Sequence, residues 1–373
     1  MKIGMFIQPL MLSDRSVPEA HDWCLQSIVW ADQYGLSDVF MGEHHTVKME
    51  PIPCPDILIA QALKATSRVR VGTAGFVLPF HHPAELANRV AYLDHISGGR
   101  FNFGIAAGSV PSDWEMFDID GIGGDQRDMT IEALTLIRKL WAAEEPERFE
   151  GKFWTIAWPK QYSDVLKPWL KPLQQPHPPI SIAGASPGSS TLKFAGELGL
   201  SPMSIFISQA LVETHWAAYE EGCAKSGIFP DRNKWSIARE VIVADTDEEA
   251  WEAALAGPAN RIYPEYRLPL YKKLNWLDNF KLDPSMSDDE VTVEYCMKHH
   301  WLIGSPETVA EKIRDMYENV GGFGTLLIMN QDYIDRPEAW RKTVELLGTK
   351  VLPQLADLEV GVSGGNKMAA ARG

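Results

Sequence analysis

Short runs rich in β-branched and aromatic residues alternate along this chain with longer stretches in which apolar side chains recur every three or four positions. The short runs have the length of strands and the long ones the period of helices, so the rhythm is that of repeated βα units burying a parallel sheet beneath helices. Lys2 to Gln8, Ser37 to Met41, Val69 to Ala74, Phe101 to Ala106, Ile180 to Ala183, Met203 to Ile207, Ser236 to Ala244 and Thr325 to Met329 read as strands. They number eight, as a closed barrel requires. Helix punctuation agrees: Ser16-Val17-Pro18-Glu19 opens the first helix, Gly35 closes it, and Ser305-Pro306-Glu307 opens the last with proline at its first position. The pattern predicts an α/β protein with a (β/α)8 TIM barrel as one domain over residues 1–360.

Two stretches break the rhythm, 148–178 with its scattered prolines and 257–301 after the seventh strand, and both read as insertions over the C-terminal mouth of the barrel. Residues 361–373 lack apolar periodicity and read as a flexible tail.

Composition narrows the partners. A chain of 373 residues with 45% apolar content can bury a large core, and its formal charge of -15 with no Lys/Arg-rich block disfavours nucleic acid and anionic membrane surfaces. The opening MKIGMFIQPL has no signal-peptide pattern, and no apolar run reaches membrane-spanning length, so a cytoplasmic protein is expected. Cys24, Cys54, Cys223 and Cys296 form no C-x-x-C pair and read as free thiols.

Catalytic groups of such barrels gather where strands end, which directs attention to Gly42-Glu43-His44-His45 after the second strand. His44 can exchange protons near neutral pH and Glu43 can orient or tune it or simply pair elsewhere; a strand-end histidine with satisfied hydrogen bonds uses the same letters. The adjacent pairs His44-His45, His81-His82 and His299-His300 point their side chains apart and no H-x-H or H-E-x-x-H occurs, so no metal is expected. His81 and His82, before a helix from Ala84 to Ile96, read as capping or hydrated residues. Small residues end the third strand (Ala74, Gly75) and the fourth (Ala106), clearing space for a flat ring or allowing a bulge or close packing. Gly184, Ala185, Ser186, Ser189 and Ser190 follow the fifth strand and open a helix, an arrangement suited to phosphate and also to plain helix capping. No G-x-G-x-x-G or P-loop accompanies them.

Taken in order, Gly42-Glu43-His44-His45, Val71-Gly72-Thr73-Ala74-Gly75-Phe76, Ser97-Gly98-Gly99-Arg100-Phe101 and Leu302-Ile303-Gly304-Ser305-Pro306 resemble the bacterial-luciferase family of flavin-dependent monooxygenases over Met1 to about Leu355. His215-Trp216, Ala244-Asp245-Thr246-Asp247 and Gly321-Gly322-Phe323-Gly324 look closest to its diketocamphane and limonene monooxygenase branch. The resemblance implies a two-component oxygenase that takes reduced FMN from a separate NAD(P)H:flavin reductase and uses O2 to oxygenate a small, largely apolar substrate. Baeyer-Villiger oxidation of a ketone, hydroxylation or epoxidation of a terpene-like compound, and aldehyde oxidation all fit. It places His44 beside the flavin and a strained, cis-type peptide at Ala74-Gly75 behind the ring. The phosphate is expected on residues 184–186 and 189–190, although luciferase has an arginine after the fourth strand where this chain has Ala106-Ala107-Gly108. Gln8, Trp114 and Phe206, at or just past strand ends, are candidates for the substrate pocket. A homodimer is expected. Two other readings share the scaffold: a deazaflavin (F420)-dependent dehydrogenase, and a non-catalytic flavin-binding accessory subunit.

Overall fold

Eight parallel strands close on themselves in the computed structural model, which describes residues 1–121, 123–205 and 208–358. They are β1 (Lys2–Ile7), β2 (Asp38–Met41), β3 (Arg70–Thr73), β4 (Phe101–Ala106), β5 (Ile180–Gly184), β6 (Ser201–Ser204), β7 (Ser236–Arg239) and β8 (Thr325–Met329). Pairing runs in chain order, and β1 closes the ring on β8 with Lys2 opposite Thr325 and Phe6 opposite Met329. The outer ring consists of α1 (Val17–Gln33), α2 (Pro55–Ala65), α3 (Pro83–Ser97), α4 (Asp125–Ala142), α5 (Ser190–Leu198), α6 (Gln209–Ser226), α7 (Pro306–Asn319) and α8 (Pro337–Leu346). The predicted starts hold: Ser16 and Glu19 form a capping box on α1, and the Ser305 side chain accepts the Thr308 N–H at the start of α7.

Strand alternation sorts the core into two layers. Met5, Ile7, Val39, Val71, Phe103, Ile105, Ile182 and Ile328 face outward beneath the helices. Phe6, Phe40, Met203, Leu327 and Met329 fill the interior, and Ala74, Ala183 and Ala238 join this layer. The interior is therefore solid, and the mouth is its upper surface. Strands β3 and β4 approach closely because Gly104 has no side chain: a Cβ there would lie 1.7 Å from the Thr73 carbonyl oxygen.

The sequence misjudged three boundaries. The seventh strand leaves the barrel at Glu240; Val241–Val243 then pairs with Leu302–Gly304 in a separate ribbon. Both halves contain buried apolar residues, and the charged pair Arg239-Glu240 between them is the one break in the pattern, at the bend itself. The sixth strand starts at Ser201-Pro202, letters that suggest a turn, because proline is tolerated at a strand start. Segment 148–178 does not cover the mouth. It follows a helix, so it emerges at the opposite end, where the Gln174 side chain accepts from Arg70 Nη2 at 3.1 Å and donates to Asp94 Oδ1 at 2.7 Å. Segment 257–301 follows a strand and lies over the ends of β1 and β7 through Arg267. Phe206 and residues 361–373 lie outside the described residues. Among the described residues, no helix is long and apolar enough to cross a membrane.

Candidate active site

The turn after β2 carries two histidines that diverge. His45 donates from Nε2 to Glu43 Oε1 at 2.9 Å, whereas His44 donates from Nδ1 to Asp113 Oδ2 at 3.2 Å. Both carboxylates can only accept, which fixes the proton on each of these nitrogens. Asp113 lies on the short helix Pro111–Met116 after β4, and its other oxygen accepts the His45 and Thr46 amides and the Thr46 hydroxyl. This grip locks residues 44–46 across the gap between the two loops.

The second His44 nitrogen, Nε2, lies 3.7 Å from Glu50 Oε2, a buried atom with no hydrogen-bond partner. Glu50 is held by its other oxygen, which accepts from Gln8 Nε2 at 2.7 Å and the Tyr266 hydroxyl at 3.2 Å. Burial pulls the His44 pKa down, but Glu50 and Asp113 together outweigh it and push it up to about 9. For Asp113, burial raises the pKa and the bonds from His44 and Thr46 overcome that, leaving it at about 2. His44 is thus a cation at neutral pH, with Nε2 the nitrogen not committed to Asp113. We expect the His44 ring to titrate near pH 9 by NMR in the wild type and below that in Glu50→Gln, which removes the nearby carboxylate charge that favours the imidazolium. An unchanged midpoint in the variant would take Glu50 out of the account.

Glu43 adds to the field that favours the charged form of His44, while its hydrogen bonds go elsewhere. Its carboxylate accepts the Val77 N–H at 2.8 Å and His81 Nε2 at 2.9 Å in addition to His45. Burial opposes its charge, but these donors prevail and hold its pKa below the ordinary carboxylate value. It ties the end of β2 to the segment after β3, which makes it a positioning residue. His81, expected to cap or meet water, belongs to this clamp; His82 is the N-cap residue of α3 without a side-chain capping bond.

The Ala74-Gly75 bond is cis. Gly75 is small for a different reason from the one suggested by a flat ring: a Cβ there would lie 2.4 Å from the Ile105 backbone, so the glycine serves the approach of β4. Ala74 turns into the inner layer. Ala106 shares the inward face of β4 with Asn102 and Gly104, opposite the outward Phe103 and Ile105. Ala74, Ala106 and Ala183 therefore leave one side of the mouth low and smooth.

Beyond β5, the loop to α5 is held from behind. Ser186 O accepts from His215 Nε2 at 2.8 Å, His215 Nδ1 lies 3.0 Å from Ser204 Oγ, and Ser204 Oγ accepts Trp235 Nε1–H at 2.9 Å. A carbonyl and an indole N–H at the two ends leave one consistent direction, with Nε2 protonated and the Ser204 hydroxyl donating to Nδ1. Burial keeps this imidazole neutral, lowering its pKa to about 4. Ser189 is buried and caps α5 by accepting the Leu192 N–H, and Gly184 admits Leu192 and Ser189, each 2.6 Å from where its Cβ would be. Ala185 is half-buried, and Ser186 and Ser190 are exposed.

Residues 1–322 match the luciferase-like monooxygenase family model. The chain belongs to this family. Among its relatives, 2,5-diketocamphane 1,2-monooxygenase 2 of Pseudomonas putida is 34% identical over 95% of this chain and 99% of its own. The 3,6-diketocamphane 1,6-monooxygenase of the same organism is 31% identical over 95% of this chain and 98% of its own. The solved structure of the oxygenating constituent of 3,6-diketocamphane monooxygenase from Pseudomonas putida, in complex with FMN, superposes with a TM-score of 0.89 at 33% identity, covering 95% of this chain and 98% of that one.

Within the luciferase-like barrel, two of the expected substrate-pocket residues have other partners. Gln8 accepts Arg267 Nη2–H at 3.0 Å while donating to Glu50, linking segment 257–301 to the carboxylate facing His44. The Trp114 indole is wedged against Gly108 and Gly121, with Nε1 donating to Ala107 O at 3.4 Å. Sequence reasoning missed Asp113, Glu50, Tyr266 and Arg267. An acid in the first turn of a helix after Pro111 was the one usable signal, and it pointed to Asp113.

Proposed function

We propose that the protein is the oxygenase component of a two-component flavin-dependent monooxygenase, taking reduced FMN from a separate NAD(P)H:flavin reductase and inserting one atom of O2 into a small, largely apolar organic substrate. One observation carries the reading: a protonated histidine, His44, gripped by Asp113 and faced by Glu50, stands beside a mouth that alanines keep flat. The residues fit the flavin. The ring would lie over Ala74, Ala106 and Ala183, and the phosphate would sit at the α5 start on the Gly184, Ala185, Ser186 and Ser190 side of the loop, with Ser189 shaping it from within. First-turn amides of a helix have no partner inside the helix and favour an anion.

When bound, reduced FMN supplies the two electrons that allow one oxygen atom to enter the substrate and the other to leave as water. The chain's own work is positioning, shielding and proton control. His44 holds its proton at Nε2, and Asp113 fixes the ring so that this proton is presented in one direction. Segment 257–301, anchored through Tyr266 and Arg267, shields the mouth from water, and its role as a lid is part of this proposal. Free cysteines, three of them buried, support a cytoplasmic setting, and Ile57 and Tyr92, exposed on α2 and α3, support a homodimer.

Anaerobic titration with reduced FMN tests the assignment of the cofactor. Saturable binding that weakens in Ala106→Phe, whose ring would fill the flat space, is the expected outcome. Equal binding in the variant would move the flavin elsewhere.

A further inference from the structure

Segment 257–301 reaches the histidine site through one wide turn, Tyr263–Arg267, in which the Leu268 N–H donates to Tyr263 O five residues back. Two successive side chains of this turn enter a polar network. The Tyr266 hydroxyl donates to Glu50 Oε1 at 3.2 Å, Arg267 Nη2 donates to Gln8 Oε1 at 3.0 Å, and Gln8 Nε2 donates to the same Glu50 oxygen at 2.7 Å. Arg267, the cation that the segment brings towards Glu50, is paired with Glu240 at 3.2 Å. The turn rests on an apolar seat in which Ile262 is buried with Leu10, Leu12 and Met49, and the Tyr266 ring packs against them. This cluster is separate from the main core, so the turn can leave it without opening the barrel.

The network leaves Glu50 in one orientation. Both donors take Oε1, and Oε2, buried and without a hydrogen-bond partner, faces His44 Nε2 at 3.7 Å. That distance is too long for a hydrogen bond, so the carboxylate favours the imidazolium by its field and leaves the Nε2 proton uncaptured. Such a field depends on the exclusion of water. The attraction between unit charges 4 Å apart weakens about fourfold from the surroundings of a protein surface to bulk water. The carboxylates that face His44 are Glu50, Asp113 and Glu43, and with the turn in place they outweigh the opposing effect of burial, holding the pKa at about 9 against an ordinary 6.5. Lifting the turn hydrates Glu50 and His44 together, weakening both effects, so the net change is downward towards the ordinary value.

We propose that Tyr266, Arg267 and Gln8 are positioning residues for His44: they hold Glu50 against it, so that the imidazole keeps its proton only while the turn 263–267 is seated. The use of that proton rests on the oxygenase reading above, in which it is then offered only inside a shielded site. The linkage runs both ways. Because seating strengthens proton binding at His44, the proton stabilises the seat; this contribution is complete below pH 6.5 and is lost as the pH rises through about 9.

The test uses the full chain without flavin and follows the His44 ring by NMR, its signal assigned by difference from His44→Asn. Two variants unseat the turn in different ways. Ile262→Asn spoils the apolar seat and keeps every polar link, whereas Tyr266→Ala removes a ring and a hydroxyl together. In both, His44 is expected to bind its proton about tenfold more weakly than in the wild type, an effect that a purely structural role would not produce. A midpoint that stays near pH 9 in either variant would overturn the proposal. Hydrogen exchange of the wild type decides the matter even where a variant does not fold. Corrected for intrinsic rates and compared with the barrel strands, protection of segment 257–301 should fall by about tenfold or more between pH 7 and about 9.5, and His44→Asn should show no such fall. A wild type without the fall, or a fall that persists in His44→Asn, would equally overturn it. Neither measurement needs flavin or oxygen, so their failure rejects this inference alone, whereas failure of the anaerobic FMN titration rejects the oxygenase reading.

Discussion

His44→Ala is expected to leave the barrel folded and the flavin bound while product formed per O2 consumed falls by about two orders of magnitude or more, with hydrogen peroxide released instead. The magnitude follows from what His44 contributes. It is a cation at neutral pH, its pKa pushed up to about 9 by Glu50 and Asp113 against the effect of burial. Removing it deletes the proton source and leaves the Asp113 carboxylate without the imidazolium it faces. The sign with pH is fixed by the same shift. Coupling in the wild type should hold from pH 7 to 8 and decline as the pH rises through about 9, whereas the residual coupling of the variant should show no such decline. Product and peroxide yields across that range are the readout, with circular dichroism as the control for folding. Unchanged coupling would remove His44 from the chemistry.

Glu43→Ala should act on the fold rather than on the proton. The variant strands the buried Val77 N–H and removes the carboxylate that His45 and His81 share, so a loss of about 3 kcal/mol in urea unfolding is expected. The Glu43 pKa lies below its ordinary value when folded, so its stabilisation is present above the normal carboxylate range and is lost as pH falls through the folded value. The variant should accordingly lose less stability on acidification than the wild type. A Glu43→Ala protein as stable as the wild type, with its coupling abolished, would return Glu43 to a direct catalytic role.

The barrel was legible in the sequence because alternating burial leaves its mark on each strand: outward Met5, Ile7, Val39 and Val71 interleave with the interior layer. The bend at Glu240 was passed over because Val241–Val243 resumes a buried apolar run directly after the Arg239-Glu240 interruption. Position in the βα rhythm held the answer for the insertions. A segment after α4 must emerge at the N-terminal end of the barrel, and only the one after β7 can reach the mouth. At the site, the pair Glu43-His44 looked like a functional unit because the two are adjacent in sequence. Neighbouring residues at a strand end face opposite ways, however, and the partners of His44 come from 69 residues away at Asp113 and from the loop that reaches Glu50. Gly75 shows the same ambiguity: a small residue can make room for a ligand or for a neighbouring strand, and here the Ile105 backbone occupies the space. Tyr266 and Arg267 were beyond reach of pattern reading, since their contacts join segments far apart in sequence.

The most direct test of the central claim is isotopic. The protein is supplied with reduced FMN by a separate reductase under 18O2, and the products from cyclic ketones are examined by mass spectrometry. The account predicts a product that carries one 18O atom per molecule and depends on both the flavin and this chain. A product without the label, or flavin oxidation that yields only peroxide with every ketone offered, would contradict it.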